Sequence, residues 1–226
     1  MKYRAILFDF DGTLVPSLPL WAKAFQAALR GHGVALTEEE VIRACFFRDW
    51  AAVAADHGIA SADELRLAVE RGLREAFLDA TLFPLARAVI DHCRAHGLQT
   101  ALVTSAPRSM IDEVIPRLAL EDAFDFRICA DDVANHKPHP EPVLTALAAL
   151  ERQPHEAIMI GDSRADILAG KAAGTATALF LPEEHSRFHC FDTLRACGPD
   201  HVFVDHAELP ALFGLPQLGL RQAVDL

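Results

Sequence analysis

Two aspartates spaced two residues apart follow the first apolar run of this sequence. Asp9 and Asp11 come directly after residues 5–8, and Gly12 and Thr13 follow them. On an extended chain, side chains at i and i+2 point the same way, so we expect both carboxylates to face one site. Gly12 and Thr13 let the backbone turn there and offer N–H groups to an anion. The spacing predicts a functional site rather than a strand that ends in an ordinary polar turn.

The elements that must position these carboxylates form an α/β pattern. The run before Asp9 is uninterrupted, as is typical of a strand buried on both faces of a parallel sheet. From Phe83 onward, strand-like and helical segments alternate, which indicates parallel strands with right-handed crossovers. Strands are predicted at 98–103, 126–130, 157–160, 177–181 and 201–204, and helices at 86–96, 141–150 and 164–173, with another opened by 106–107. In such sheets ligands bind at the carboxyl ends of the strands, so the chemistry is expected there.

Between Val15 and Leu82 the pattern is helical throughout, and no strand is predicted. Thr37 with Glu40 three residues later is a capping box, which is typical of a helix start. Further helices are predicted over residues 41–47, 50–57 and 61–80. We therefore expect a helical block inserted directly after the first strand.

Bulk composition argues against several classes of protein. The formal net charge is −11, from 21 Lys and Arg against 32 Asp and Glu, which disfavours a nucleic-acid partner. No segment is long and apolar enough to span a bilayer, and the N-terminus enters a strand at once, so we expect neither a membrane partner nor a signal peptide. The five cysteines include no CxxC pair. Reduced thiols in a cytoplasmic protein are expected.

Four short motifs resemble those of the haloacid dehalogenase-like (HAD) hydrolase superfamily and follow in its order. Residues 9–14, DFDGTL, match the first motif, DxDGT[LV], and residues 161–166, GDSRAD, match the fourth, GDxxxD. Between them, the strand end at 102–104 is similar to the second motif. The segment KPHP at 137–140 is similar to the third, which supplies a lysine.

The chain most resembles the C1-capped phosphatases of the phosphoglycolate phosphatase and β-phosphoglucomutase-like group. The resemblance implies a Rossmann-like parallel sheet, the HAD core, built from residues 1–15 and 83–226. It implies that residues 16–82 are an inserted helical C1 cap domain that closes over the active site. Substrate choice lies in the cap, where the resemblance rests only on length and helicity.

The resemblance also implies roles for individual residues. Asp9 is expected to be the nucleophile that takes up a phosphoryl group, and Asp11 the general acid and base. Mg²⁺, which prefers oxygen ligands, is the implied cofactor. Its implied ligands are Asp9, Asp11 through the backbone carbonyl, Asp162 and, through water or as a support, Asp166. The implied substrate is a small phosphorylated molecule bound by Gly12, Thr13, Thr104, Ser105 and Lys137, and Thr104 and Lys137 are also expected to take part in catalysis.

Arg48, in the helical block, has two competing interpretations. A guanidinium is suited to grip a second anionic group on the substrate bidentately. Alternatively, Arg48 forms a salt bridge with Asp49 or Asp56. We expect it in a cap loop and include it among the substrate-binding residues.

The segment 182–200 carries His185, His189 and Cys190, which resemble a metal cluster. Their HxxxHC spacing is no established closed pattern for zinc, so we expect an ordinary polar loop. The segment is therefore left without a role.

The predicted function is a Mg²⁺-dependent phosphatase that hydrolyses a small phosphomonoester through an aspartyl-phosphate. Asp11 argues against a dehalogenase, because that reaction has no leaving alcohol to protonate. A phosphosugar mutase, a pyrophosphatase and a catalytically silent binding protein remain alternatives. The substrate and the oligomeric state, monomer or homodimer, stay open.

Overall fold

The structure is a computed structural model that describes residues 2–219. The chain divides into two compact units, one made of Met1–Pro16 with Thr81–Leu226 and the other of Ser17–Ala80. We refer to them as the α/β unit and the helical unit. The division of the sequence into a catalytic core and a cap remains a prediction about their functions.

Six parallel strands form the sheet of the α/β unit, as far as the described residues extend. They are β1 (Ala5–Phe8), β2 (Gln99–Val103), β3 (Phe126–Ile128), β4 (Ala157–Gly161), β5 (Ala176–Phe180) and β6 (His201–Phe203). Their order is β3-β2-β1-β4-β5-β6. The chain thus builds outward from β1 in one direction and then, from β4, in the other. In doubly wound sheets, the crevice at such a reversal of strand order is where ligands bind.

The helical unit contains α1 (Leu18–Gly31), α2 (Glu38–Cys45), α3 (Trp50–Asp56) and α4 (Ala62–Ala76). The capping box at the start of α2 is confirmed, because the Thr37 N–H donates to Glu40 Oε2 at 2.8 Å and the Thr37 hydroxyl accepts from the Glu40 N–H at 3.3 Å. The Phe25 ring stacks on Trp50, with ring centroids 5.1 Å apart. A local cap thus begins α2, whereas the aromatic contact joins α1 to α3.

Of the six α-helices that the described residues of the α/β unit form, the first four follow the predicted alternation and the last two were not predicted. They are α5 (Ala86–Ala95), α6 (Arg108–Arg117), α7 (Glu141–Ala149), α8 (Arg164–Ala173), α9 (Phe191–Arg195) and α10 (Leu209–Leu212). On one face of the sheet, alternate side chains of β1, such as Ala5 and Leu7, belong to a buried cluster with residues of α7 and α8. All four residues of β1 are buried, as expected for a central strand.

The sheet and its flanking helices, with a helical unit inserted after the first strand, confirm the predicted fold class. Three predicted elements end at least two residues too late, and one of them, the helix predicted over 41–47, ends at Cys45. The helix predicted over 61–80 ends at Ala76, and a 3₁₀ turn, Phe77–Asp79, follows. The strand predicted over 126–130 ends at Ile128, because the Asp132 carboxylate accepts the Cys129 N–H at 2.8 Å and draws the chain into a turn.

Within residues 2–219, no helix has the length and apolarity needed to cross a membrane. The five cysteine thiols are all free, and three of them are buried.

Candidate active site

Asp9, the predicted nucleophile, and Asp162, a predicted metal ligand, lie at the ends of neighbouring central strands. Strands β1 and β4 pair in register, with Phe8 opposite Ile160. The backbone N–H of Asp9 donates to the Ile160 carbonyl at 2.9 Å, so the ladder runs one residue past β1. Asp9 and Asp162 are both buried where these strands end. Strand pairing therefore brings two carboxylates together from positions far apart in the sequence.

The turn after β1 requires glycine at position 12. The φ of Gly12 is +71°, and a Cβ on this residue would lie 2.2 Å from Oδ2 of Asp162. The Gly12 N–H donates to the Val15 carbonyl at 2.9 Å, and the Thr13 N–H donates to the Phe10 carbonyl at 3.3 Å. The two N–H groups that we expected to face an anion thus close the turn itself. A role of Gly12 and Thr13 in phosphate binding stays a prediction.

Lys137 joins the carboxylates at the centre of the site. Its Nζ lies 2.6 Å from Asp9 Oδ1 and 2.6 Å from Asp166 Oδ1, and it donates to the Val103 carbonyl at 2.9 Å. An ammonium has three protons, so these contacts use all of its donors. The side chain is only 4% exposed. Lys137 is therefore not a solvated surface lysine.

Asp166 is held by the start of α8. Its Oδ2 accepts the Ser163 N–H at 3.0 Å and the Ser163 hydroxyl at 2.6 Å. Gly161 leaves room for this side chain, because a Cβ at 161 would lie 2.2 Å from Asp166 Cγ. One carboxylate oxygen thus caps the helix while the other binds Lys137. Asp166 is positioned from both sides.

The site carries more negative than positive charge. One carboxylate oxygen each from Asp9, Asp162 and Asp166 lies within 4.8 Å of the others. Burial raises the pKa of Asp9 well above its ordinary value, and the charges of Asp166 and Asp162 add to the shift against Lys137. Burial also raises the pKa of Asp162. Burial lowers the pKa of Lys137, but Asp166 and Asp9 outweigh it, so this pKa lies above its usual range.

This donor set fits Mg²⁺. The ion takes oxygen ligands and is bound in proteins through one or two carboxylates. Three buried carboxylates face a single ammonium, and a divalent cation among them would offset the excess charge. Asp9 and Asp162 are the residues that would supply carboxylate ligands, with Asp166 beside them.

The remaining predicted phosphate-binding residues differ in their surroundings. Thr104 is buried and its Oγ1 accepts the Ala106 N–H at 3.0 Å, which leaves the hydroxyl proton for another acceptor. Ser105, next to it, is exposed. The Thr13 hydroxyl is buried and finds no hydrogen-bond partner among residues 2–219. Asp11 is half-buried in the turn after β1.

Arg48 lies in the helical unit, in the turn between α2 and α3. Its Nη2 lies 2.6 Å from Asp56 Oδ2, and its Nη1 donates to the Ala44 carbonyl at 2.8 Å. The salt bridge with Asp56 that the sequence left open is therefore present. A role of Arg48 in substrate binding stays a prediction.

The family model of the haloacid dehalogenase-like hydrolases matches residues 6–180. The chain belongs to this family. A phosphoglycolate phosphatase of Yersinia pestis is 30% identical to the hydrolase over 95% of each chain. An N-acetylmuramic acid 6-phosphate phosphatase of Pseudomonas putida is 31% identical over 91% of this chain and 93% of its own.

Solved structures agree with the fold of the hydrolase. The crystal structure of a HAD family hydrolase from Deinococcus radiodurans, with bound phosphate and sodium, has a TM-score of 0.77 and 25% identity. The match covers 94% of this chain and 96% of that one. The predicted resemblance is confirmed, as is the prediction of an enzyme of the phosphoric monoester hydrolase class.

Two histidines were not predicted to belong near this site. His185 and His189 follow β5, the neighbour of β4, and both are buried. His189 Nε2 lies 3.1 Å from Asp162 Oδ2, and His185 Nδ1 lies 3.7 Å from the same oxygen. Burial lowers the pKa of His185 to about 3. In the expected polar loop, these two histidines are thus buried, whereas their neighbours Glu183, Glu184, Ser186, Arg187 and Cys190 are exposed.

A signal for this arrangement existed in the sequence. The two histidines are four residues apart and follow the strand predicted at 177–181. Spacing of this kind can place two rings on the same side of a turn. The spacing could not indicate that the two histidines approach Asp162. Their segment reaches Asp162 only because β5 lies beside β4 in the sheet.

Proposed function

We propose that this hydrolase is a Mg²⁺-dependent phosphatase that releases phosphate from a small phosphomonoester of the phosphoglycolate type. The observation that carries the proposal is the buried contact of Lys137 with Asp9 and Asp166, at the carboxyl ends of the central strands. The phosphatase names of the relatives from Yersinia pestis and Pseudomonas putida support the same reaction class. The five free thiols suit the reducing conditions of the cytoplasm, where we expect the enzyme to act.

Asp9, Asp162 and the backbone carbonyl of Asp11 are the groups proposed to hold Mg²⁺, with Asp166 acting through water or as a support. When bound, the ion supplies positive charge to the phosphoryl oxygens and to the carboxylates around it. The bond-forming and proton-transfer steps of the proposed reaction are carried out by side chains of the protein.

Asp9 is the proposed nucleophile. Its carboxylate attacks phosphorus in line, a new O–P bond forms, and the bond from phosphorus to the leaving alcohol breaks. Asp11 gives its proton to the leaving oxygen and then takes a proton from the water that attacks the phosphorylated Asp9. General acid–base catalysis of this kind contributes ~10²–10⁴-fold in typical enzymes.

Lys137 is proposed to neutralise charge as the phosphate approaches. A dianionic phosphate must come close to buried carboxylates, and the Nζ 2.6 Å from Asp9 Oδ1 is placed to reduce the repulsion. The Thr104 hydroxyl, whose oxygen already accepts the Ala106 N–H, can direct its proton to a phosphate oxygen. Ser105 is a second proposed donor.

Release of p-nitrophenol from p-nitrophenyl phosphate, measured with and without Mg²⁺, tests the reaction class. We expect turnover that needs Mg²⁺ and is lost with EDTA. A panel of phosphorylated metabolites, including phosphoglycolate, sugar phosphates and pyrophosphate, then identifies the substrate class through free phosphate. A protein that binds members of the panel but turns over none of them would contradict the proposal and favour a silent binding protein.

A further inference from the structure

His185 and His189 both approach Oδ2 of Asp162, but only one of them forms a hydrogen bond with it. The His189 contact with Asp162 Oδ2, at 3.1 Å, has the length of an ordinary hydrogen bond. His185 Nδ1 lies 3.7 Å from the same oxygen, beyond hydrogen-bond distance. This nitrogen is fully buried and finds no hydrogen-bond partner within the described part of the chain. A hydrogen bond thus accounts for His189, whereas the polar atom of His185 stays unexplained.

Burying a polar nitrogen without a partner costs free energy, so such atoms call for an explanation. Here one ligand atom from each of Asp162, His185 and His189 lies within 4.8 Å of the other two. Two ligands that share a zinc ion at about 2.0–2.1 Å in tetrahedral geometry lie roughly 3.3 Å apart. The separations of 3.1 Å and 3.7 Å bracket this value.

We propose that His185, His189 and Asp162 form a second metal site, which takes a divalent transition ion of the zinc type. Imidazole nitrogen suits Zn²⁺, Fe²⁺, Ni²⁺ and Cu²⁺, whereas the carboxylates of Asp9 and Asp166, which also group with Asp162, suit Mg²⁺. Three protein ligands leave a coordination position open, as in zinc sites that also bind water. His185 is only 2% exposed, so the site is buried.

The local backbone supports the site. Residues 183–187 form a 3₁₀ turn, and the His189 N–H donates to the His185 carbonyl at 2.9 Å, which ties the two histidines together. Their ring centroids lie 5.8 Å apart with planes inclined by 49°. Neither ring therefore stacks on the other. Both are held by a short segment and approach the same carboxylate oxygen.

A zinc titration followed by the imidazole nitrogen resonances of the ¹⁵N-labelled, metal-free protein tests this site directly. We expect two of the 11 histidines to shift and to saturate at one equivalent of Zn²⁺. Co²⁺ should give the intense visible absorption of a four- or five-coordinate ion with nitrogen ligands. Asp9→Asn, which changes only the carboxylate cluster, should keep both signals.

His185→Asn and His189→Gln should each weaken Zn²⁺ binding by at least ~10-fold. His139→Asn is the matched control, since His139 is an exposed histidine beside Glu141, and its affinity should be unchanged. Zinc that shifts no imidazole of the wild-type protein would overturn the proposal, and this measurement needs no variant to fold. Equal binding by both histidine variants and the wild type would overturn it as well. These experiments measure ion binding and not turnover. A protein that lacks phosphatase activity would therefore contradict the proposed function but not the second metal site.

Discussion

Two ion pairs, one in the α/β unit and one in the helical unit, differ in burial and in the sequence distance that they span. In the α/β unit, Lys137 contacts Asp9 across 128 residues of sequence, and the two side chains are 4% and 9% exposed. In the helical unit, Arg48 contacts Asp56 eight residues away, and these side chains are 38% and 54% exposed. Both contacts measure 2.6 Å. Distance alone therefore does not distinguish them, whereas burial does.

The difference shows which ion pairs matter energetically. Removing one partner of a buried pair leaves an uncompensated charge and costs ~3–5 kcal/mol. An exposed pair contributes about 0–1 kcal/mol, because water screens the charges and holding two long side chains costs entropy. The buried charges of Lys137, Asp9 and Asp166 are therefore expected to matter both to the stability of the α/β unit and to its chemistry. The exposed pair of Arg48 and Asp56 is expected to contribute little to stability.

The largest expected effect comes from the buried nucleophile. Asp9→Asn should lower kcat at least ~10⁴-fold, as loss of a nucleophile does in other hydrolases, because an amide cannot form the phosphorylated intermediate. The fold and a Mg²⁺-dependent rise in Tm should persist, since Asp162 and Asp166 remain. Steady-state kinetics and a thermal shift measure the two. Near wild-type kcat in this variant would rule out the mechanism.

Lys137→Ala should show the next largest effect, with Lys171→Ala as its matched control. Lys171 is exposed and donates to the Cys197 carbonyl at 2.7 Å. Loss of the buried ammonium should lower kcat by ~10²–10³-fold, and should lower the free energy of unfolding of the metal-free protein by ~3–5 kcal/mol. Urea denaturation and kinetics of both variants provide the measurement. Similar behaviour of the two variants would mean that burial of Lys137 has no energetic role.

Burial in the α/β unit also predicts a pH effect. His206 packs against the rings of Phe83, Phe180 and Phe203, and burial lowers its pKa from 6.5 to about 4. Because the folded pKa lies below the unfolded one, the unfolded state binds more protons between these values. Stability from this group is therefore present above pH 6.5 and is lost as pH falls toward 4. The loss amounts to about 3 kcal/mol at pH 4.

His206→Phe keeps a ring among these aromatic neighbours and has no group to titrate. The free energy of unfolding of wild type minus that of the variant, measured by urea denaturation at pH 7, 5.5 and 4, should fall by about 3 kcal/mol over this range. A difference that stays constant with pH would show that His206 does not titrate in the expected way.

The smallest effects are expected in the helical unit. Arg48→Ala and Asp56→Ala should each change the free energy of unfolding by about 1 kcal/mol or less. If Arg48 also grips a second anion of the substrate, Arg48→Ala should raise KM for that substrate by ~10-fold or more, the scale of one charge-assisted contact. Asp56→Ala should not, and both variants should treat p-nitrophenyl phosphate alike. Equal KM values for the two variants on the natural substrate would leave Arg48 with the salt bridge alone.

The local patterns of this chain were readable from the sequence. The apolar run before Asp9 predicted β1, Thr37 with Glu40 predicted the start of α2, and the alternation after Phe83 predicted the parallel sheet. These features depend on contacts within a few residues, namely side-chain periodicity, capping and turns. The same holds for the turn at Gly12, because glycine adopts the positive φ found there at no steric cost.

Other features were decided only by the tertiary structure. The contacts of Lys137 with Asp166 and with the Val103 carbonyl were not evident in the sequence. Nor was the approach of His185 and His189 to Asp162. Contacts of this kind join residues on different strands, and their distances depend on strand order and register, here Phe8 opposite Ile160 and β5 beside β4. A sequence motif specifies which groups are available. Burial, which sets their pKa values and the energy of their ion pairs, exists only once the sheet has assembled.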